Sequence, residues 1–185
     1  MKDTRERILE TALDLFIEQG YEKTSLREIA ERIGVTKPAI YYHFSSKEEI
    51  LRTLIEPILA VQGQAADSLQ IKPTRREWSE RISTLIDWML PHRRLFELFE
   101  RNQGALESLA HSSEFYEAHI AMHRRLDEYF ADEATPLEDR IRVAASIGVV
   151  MSTFSFVGGE AFSETPVEEL STLLLRVIND VLHVD

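Results

Sequence analysis

The chain has 185 residues, of which 44% are hydrophobic, and it contains no cysteine, which excludes disulfide bonds and thiolate metal sites. Its formal net charge of −11 argues at first against a nucleic-acid partner. The charge is unevenly distributed, however: residues 1–47 hold eight Lys/Arg and eight Asp/Glu, whereas residues 48–185 hold 13 and 24 and carry the whole excess, so any approach to a polyanion is expected from the N-terminal quarter.

The whole chain is predicted to be α-helical. No stretch alternates strictly between apolar and polar residues, and no Asn-Gly or Asp-Gly hairpin turn occurs. Capping boxes, in which Ser or Thr is followed three residues later by Glu, mark several helix starts, among them Ser25–Glu28, Thr74–Glu77 and Thr165–Glu168. Nine helices are predicted, over Asp3–Gln19, Leu26–Ile33, Lys37–His43, Lys47–Leu69, Arg75–Met89, His92–Arg101, Glu114–Ala131, Pro136–Val157 and Pro166–His183.

Neither a signal peptide nor a membrane span is predicted. The N-terminal sequence MKDTRERILETALDLF carries charges throughout and lacks the apolar stretch of a signal peptide. The uncharged run over residues 143–159 is 17 residues long, is interrupted by Ser, Thr and Gly, and falls short of the roughly 20 apolar residues of a membrane helix. We therefore expect a buried helix at this position, no membrane partner and a cytoplasmic location.

The second and third predicted helices have the spacing of a helix-turn-helix. The second helix carries an apolar stripe at positions i, i+3, i+4 and i+7 and ends at Gly34, after which two residues precede the third helix. At 100° per residue, Ile40 and Phe44 share the buried face of the third helix. The opposite face then shows Pro38, Ala39 and Tyr42 instead of the Glu, Lys and Gln of a solvated helix, which suits insertion into a DNA major groove.

The same region resembles the DNA-binding domain of the tetracycline-repressor (TetR-type) family. The resemblance covers about Arg7–Leu51 and rests on RILETALDLFIEQGY followed by TSLREIAERIGVTKPAIYYHFSSKEEIL. It implies an all-α fold in which an N-terminal three-helix helix-turn-helix domain, residues 1–47, is joined by a long fourth helix to a C-terminal helical domain, residues 48–185, for effector binding and dimerisation. It also implies a homodimeric, ligand-responsive transcription regulator, usually a repressor, that binds a palindromic double-stranded DNA operator and is released by a small-molecule effector.

The resemblance also assigns DNA-binding positions. Lys47, together with Thr36, Tyr41 and His43, lies where the family contacts phosphate. Only Lys37 and Arg27 can donate to guanine, so we expect specificity to depend partly on DNA shape and half-site spacing. The positions assigned to DNA binding are Ser25, Arg27, Thr36, Lys37, Pro38, Ala39, Tyr41, Tyr42, His43 and Lys47.

The last two predicted helices are expected to form the homodimer interface. The eighth helix carries small residues such as Ala144 and Gly148 that let a partner helix approach closely. The ninth helix is apolar over more than one stripe, and a helix with two apolar faces must cover both. Burial of both faces within one subunit is the alternative. The apolar residues of the ninth helix are Leu170, Leu173, Leu174, Val177, Ile178, Val181 and Leu182.

The middle helices are rich in aromatic residues, most of which are expected to be core. The family resemblance implies an effector pocket among these helices, and we expect it to take a small apolar or aromatic molecule, neutral or anionic. His119 and His123 are four residues apart and could face one metal ion, line the pocket or simply pack. Because no third ligand is marked, neither a metal nor another cofactor is expected. The candidate effector-binding residues are Trp78, Trp88, Phe96, Phe99, Phe115, His119, Met122, His123 and Phe154.

Enzymatic motifs do not occur: the sequence holds no phosphate-binding loop, no Gly-x-Ser-x-Gly and no His-Glu-x-x-His, so the protein is not expected to be an enzyme. Two alternatives stay open beside the regulator. One is a helical architectural or partner-binding protein without a specific operator, and the other is a small-molecule-binding helical enzyme.

Overall fold

A computed structural model describes residues 3–68, 73–102, 104–106, 114–157 and 164–184. These ranges are all-α and contain no strand, which confirms the predicted fold class. Each helix starts and ends within one residue of its predicted bounds. The helices are α1 (Thr4–Glu18), α2 (Leu26–Ile33), α3 (Lys37–His43), α4 (Lys47–Ser68), α5 (Arg75–Met89), α6 (Arg93–Arg101), α7 (Glu114–Ala131), α8 (Leu137–Val157) and α9 (Val167–Leu182).

The helix starts follow the predicted capping pattern in part. Ser25 with Glu28, and Thr74 with Glu77, form the predicted capping boxes of α2 and α5. Asp3 forms a further box with Glu6 at the start of α1, because an aspartate serves as N-cap as well as Ser or Thr. The box predicted at Thr165 is wrong: the N-cap of α9 is Pro166, whose side chain makes no capping bond.

The first hydrophobic core holds the helix-turn-helix together. Its fully buried side chains include Phe16 of α1, Ile29 of α2 and Ile40 of α3, each with no exposed surface. The core extends past residue 47 into α4, and it also receives Leu98 from α6 and Leu106 from the helical residues 104–106. The N-terminal domain therefore shares its core with elements of the C-terminal part of the chain.

The second core lies in the C-terminal domain, where α5, α8 and α9 pack together. Trp78, Ile86, Val143 and Ile178 are among its buried side chains. The long helix α4 packs along α7 and continues through Pro57, which lies inside the helix. Within the described residues, no helix is long and apolar enough to cross a membrane.

Candidate nucleic-acid interface

The turn between α2 and α3 sets the position of the exposed helix α3. Gly34 ends α2 in the left-handed conformation, with φ 72° and ψ 35°, which favours glycine because it has no Cβ. The Val35 N–H returns to the Ala30 carbonyl at 3.0 Å, and this bond closes the end of α2. Thr36 is then the N-cap of α3, and its side chain makes no capping bond. After Gly34, two residues thus lead the chain into α3, as the sequence predicted.

The two faces of α3 are as the periodicity predicts. Ile40 and Phe44 are buried in the first core. On the outer side, Tyr42 is 86% exposed and Tyr41 is 49% exposed. The other outer residues are Lys37 and Pro38, which are exposed, and Ala39 and His43, which are partly buried.

The chemistry of this outer face suits contact with DNA. The Lys37 ammonium lies 5.5 Å from the centre of the Tyr41 ring, and the Tyr42 and His43 rings meet edge to face at 5.1 Å. Lysine, tyrosine and histidine supply hydrogen-bond donors, while Pro38 and Ala39 supply small apolar contacts of the kind that thymine methyl groups accept. No carboxylate occurs within α3. The face therefore combines hydrogen-bond donors with apolar groups. It carries no negative charge that would repel a DNA phosphate.

Two predicted DNA-binding residues in the α2 region are engaged within the protein. Arg27 Nε donates to Glu31 at 2.7 Å on the exposed surface, and the Ser25 hydroxyl donates to Glu28 at 2.8 Å within the capping box. Both interactions are solvent-exposed, and exposed ion pairs contribute little to stability. A contact with DNA therefore requires each side chain to exchange an internal partner for a phosphate or a base.

Lys47, which was predicted to contact phosphate, makes hydrogen bonds within the protein that the sequence did not predict. Its Nζ donates to the carbonyl oxygens of Tyr21 at 2.6 Å and Thr24 at 2.9 Å, and lies 3.5 Å from that of Glu22. It also lies 4.0 Å from the centre of the Tyr21 ring. Partial burial lowers the pKa of Lys47, with Glu22 and Glu28 opposing that effect. In this conformation Lys47 ties the start of α4 to the turn between α1 and α2.

An asparagine that the sequence did not single out joins the two domains. Asn102, which follows α6, is only 6% exposed. Its Oδ1 accepts the Tyr21 N–H at 2.6 Å, and its Nδ2 donates to the Phe16 carbonyl at 3.1 Å and to the Leu98 carbonyl at 2.9 Å. The end of α6 is therefore fastened to the end of α1 by one amide.

Two arginines and a leucine strengthen this junction. Arg101 Nη1 donates to the Ile17 carbonyl at 3.1 Å, and Arg94 pairs with Asp14. Leu98 lies between them on α6 and is fully buried in the first core. Contacts between residues about 80 positions apart leave no periodic signal in the sequence, so the junction could not be predicted from the pattern.

The candidate effector residues separate into two groups. Trp88, Phe96 and Phe154 form a connected aromatic series, with ring centres 6.0 Å apart for Trp88 and Phe96 and 5.6 Å apart for Phe96 and Phe154. Trp78 is buried in the same second core, whereas Phe99 packs against the first. Met122 is partly buried and His123 is exposed on α7, and the side chains of Phe115 and His119 lie outside the described part of the structure.

The outer faces of α8 and α9 carry exposed apolar residues. On α9, Leu174 and Ile178 turn into the second core, while Leu173 and Val177 are nearly half exposed, so the two predicted apolar faces exist. On α8, Ile141 and Met151 are exposed, and a Cβ added at Gly148 would meet no atom within 4 Å. An open depression of about 590 Å³ lies between the helices and contains none of the candidate effector residues; it is lined by Leu137, Glu138, Ile141, Arg142, Ala145 and Val181.

Comparison with known proteins gives consistent matches. Residues 8–54 match the family model of bacterial regulatory proteins, tetR family. The HTH-type transcriptional regulator TcmR of Streptomyces glaucescens is 28% identical, over 92% of this chain and 79% of TcmR. The HTH-type transcriptional repressor BepR of Brucella suis is 26% identical, over 98% of this chain and 81% of BepR. The crystal structure of Mycobacterium smegmatis AmtR shares the fold, with a TM-score of 0.65 at 22% identity over 100% of this chain and 88% of that one.

Proposed function

We propose that the chain is a member of the tetR family of bacterial regulatory proteins, whose model residues 8–54 match, and that it is a cytoplasmic, homodimeric transcriptional repressor that binds a palindromic DNA operator. A small-molecule effector then releases it from the operator. The main support for the proposal is the exposure of Lys37 and Tyr42 on the outer face of α3. The opposite face is anchored in the first core by Ile40 and Phe44.

In the proposed complex, α3 enters the major groove with Lys37 foremost. Lys37 can donate to the O6 and N7 atoms of guanine, and Pro38, Ala39 and Tyr42 follow along the groove. Thr36, Tyr41 and His43 flank this face and are placed for phosphate. Ser25 and Arg27 reach DNA from the start of α2 once their exposed internal bonds are exchanged. Lys47 stabilises the domain and contributes a cation near the phosphates.

The outer faces of α8 and α9 support a homodimer. Exposed Leu173, Val177, Ile141 and Met151 form an apolar surface of the kind that a two-fold partner covers. The small residues around Gly148 allow the partner's helix to approach closely. A two-fold dimer presents two copies of α3 to half-sites about 34 Å apart, one DNA turn, which is why a palindrome is expected.

The junction at α6 supports a route from effector to DNA. On one side of α6, Phe96 contacts Trp88 and Phe154. Toward its end, Leu98 and Asn102 contact the DNA-binding domain. An effector that binds beside the aromatic series and displaces α6 would therefore move α1. Such a coupling is reciprocal, so the effector must bind less tightly to the operator-bound dimer, typically by about 5- to 150-fold.

Selection of duplexes from a random library, followed by footprinting, tests the proposal. We expect one palindromic sequence to be enriched and to be protected on both half-sites, by a protein with twice the chain mass in light scattering. Lys37→Ala should lose preference at particular base pairs, whereas Arg76→Ala, which changes an exposed cation on α5, should bind as the wild type does. Enrichment of no sequence, or equal binding by the wild type and Lys37→Ala, would contradict the proposal.

A further inference from the structure

Arg81 lies on the edge of α5 that adjoins the aromatic series. Arg81, Leu85 and Trp88 are spaced i, i+4 and i+7, which places them in one row along the helix. All three are partly buried, and Leu85 and Trp88 pack against the second core. Seven residues of helix separate the ends of the row by roughly 10 Å. The row therefore has a cation at one end and an aromatic ring at the other.

The Arg81 guanidinium has no partner among the described residues. Its Nη1 is buried and makes no hydrogen bond, and within the described ranges the side chain forms no ion pair. Glu77, one turn earlier, is committed to the capping box, with Thr74 N–H and hydroxyl bonds at 2.7 and 2.9 Å. Those two bonds, with a smaller contribution from the charge of Arg81, lower the pKa of Glu77. The Glu77 carboxylate is thus already engaged by Thr74.

Arg81 differs in this respect from the other arginines of α5. Arg75 pairs with Asp139 and Glu138, and Arg76 lies 3.5 Å from Glu80. A buried guanidinium nitrogen without a partner is destabilising, because its hydrogen bonds to water are lost and no hydrogen bond within the protein replaces them. An ionisable group held in that state is a candidate for ligand binding.

We propose that Arg81 is the anion-binding residue of the effector site and that the effector is an amphipathic carboxylate. This inference rests on the proposed function and names the chemical class of its ligand. A carboxylate accepts two parallel N–H bonds from a guanidinium, which would satisfy the buried Nη1. Its apolar body would lie along Leu85 and Trp88 toward Phe96. Because Phe96 is on α6, the ligand would act on the helix that reaches the DNA-binding domain.

The single guanidinium decides between anion types. One guanidinium neutralises one negative charge, which matches a carboxylate better than a phosphate dianion. The chain already carries a net charge of −11, so further uncompensated negative charge in the site is unfavourable. The row of Leu85 and Trp88 requires an aliphatic or aryl-alkyl body, and not a sugar or another polar group.

Matched acids and alcohols test the proposal on the full chain. Calorimetry and thermal shift would compare octanoate, decanoate and 4-phenylbutyrate with 1-octanol, 1-decanol and 4-phenylbutanol, all below micellar concentration. We expect at least one acid to bind the wild type about ten- to a hundredfold more tightly than its alcohol, as loss of a charged hydrogen bond implies. Binding by none of the acids, or equal binding of acid and alcohol, would overturn the proposal.

Three variants locate the charge. Arg81→Met should lose the preference for acid over alcohol, Arg81→Lys should keep part of it, and the control Arg76→Met should keep all of it. Without ligand, Arg81→Met should melt at or above the wild-type temperature, because an unsatisfied buried group is gone. A clearly lower melting temperature than that of Arg76→Met would reveal an internal partner and overturn the proposal. Operator binding of each variant without acid is measured in parallel, so failure of the proposed function would be seen separately.

Discussion

The amide of Asn102 offers a direct test of how the two domains are joined. Replacing Asn102 with alanine removes three hydrogen bonds at a position that is 6% exposed. The Tyr21 N–H and the Phe16 carbonyl then lose this partner where water has little access. A buried group left unpaired costs about 1–3 kcal/mol, so two such groups should lower the free energy of unfolding by roughly 2–6 kcal/mol.

That magnitude is large against the 5–15 kcal/mol that typically separates native from unfolded domains. For a chain of this size each kcal/mol shifts the melting temperature by about 2–4 °C, so Asn102→Ala should melt roughly 4–24 °C lower. Asn102→Asp keeps the acceptor for Tyr21 but turns a charged oxygen toward two carbonyls. It should be destabilised at neutral pH and should recover in part on acidification, when the protonated carboxyl can donate one bond.

The matched control is Asn179→Ala, which removes an amide from the second core, where Asn179 accepts a hydrogen bond from Ser79. Both variants should lose stability in urea-induced unfolding. Only Asn102→Ala should also reduce the ratio of effector affinities measured with and without operator. A change in unfolding free energy below about 0.5 kcal/mol, within the usual range for surface substitutions, would refute the energetic reasoning. An unchanged affinity ratio would refute the role of α6 in coupling.

Three further predictions concern the other surfaces. Lys37→Ala should lose about 1–3 kcal/mol of discrimination at the base pairs it reads, as measured by competition titration with single-base operator variants; a uniform loss on all duplexes would instead indicate a phosphate contact. Leu173→Asp and Gly148→Trp should both yield folded monomers in light scattering, because both sites lie on the outer faces of α8 and α9. A dimer that persists in both variants would place the interface elsewhere. Hydrogen bonds from the Ser25 hydroxyl and backbone lower the pKa of Glu28. The stabilisation from these bonds is present above the ordinary carboxyl pKa and is lost as the pH falls through the lowered pKa. Between pH 5 and about pH 3, Glu28→Gln should therefore lose less stability than the wild type, as measured by circular dichroism.

The local structure of the N-terminal domain was predictable because short-range rules determine it. The apolar spacing of α2, Gly34 and the pair Ile40 and Phe44 fix which side of α3 faces the core. The two apolar faces of α9 were predictable for the same reason, since Leu170, Leu174, Ile178 and Leu182 repeat at helical spacing on one side. In these helices the periodicity alone separates the buried from the exposed face.

The junction between the domains was not predictable by the same rules. Asn102 follows α6 next to Gln103 and Gly104, where an asparagine indicates only the end of a helix. Its partners Phe16 and Tyr21 lie more than 80 residues earlier in the chain. The local sequence around Asn102 therefore does not indicate that these residues are its partners. Arg81, whose buried Nη1 has no partner among the described residues, is a similar case, because the pairing of a side chain is a property of three-dimensional placement.

The peptide groups of Tyr21 show how the junction could transmit a displacement. The Tyr21 N–H is bound by Asn102 from α6, and the Tyr21 carbonyl is bound by Lys47 from the start of α4, each at 2.6 Å. The two helices therefore hold opposite sides of one residue in the turn between α1 and α2. If α6 shifts, the Tyr21 residue must either follow it and strain the Lys47 bond or stay and lose the Asn102 bond. Because only three residues separate the end of α3 from Lys47 at the start of α4, the first outcome moves α3, and the second releases it from the C-terminal domain.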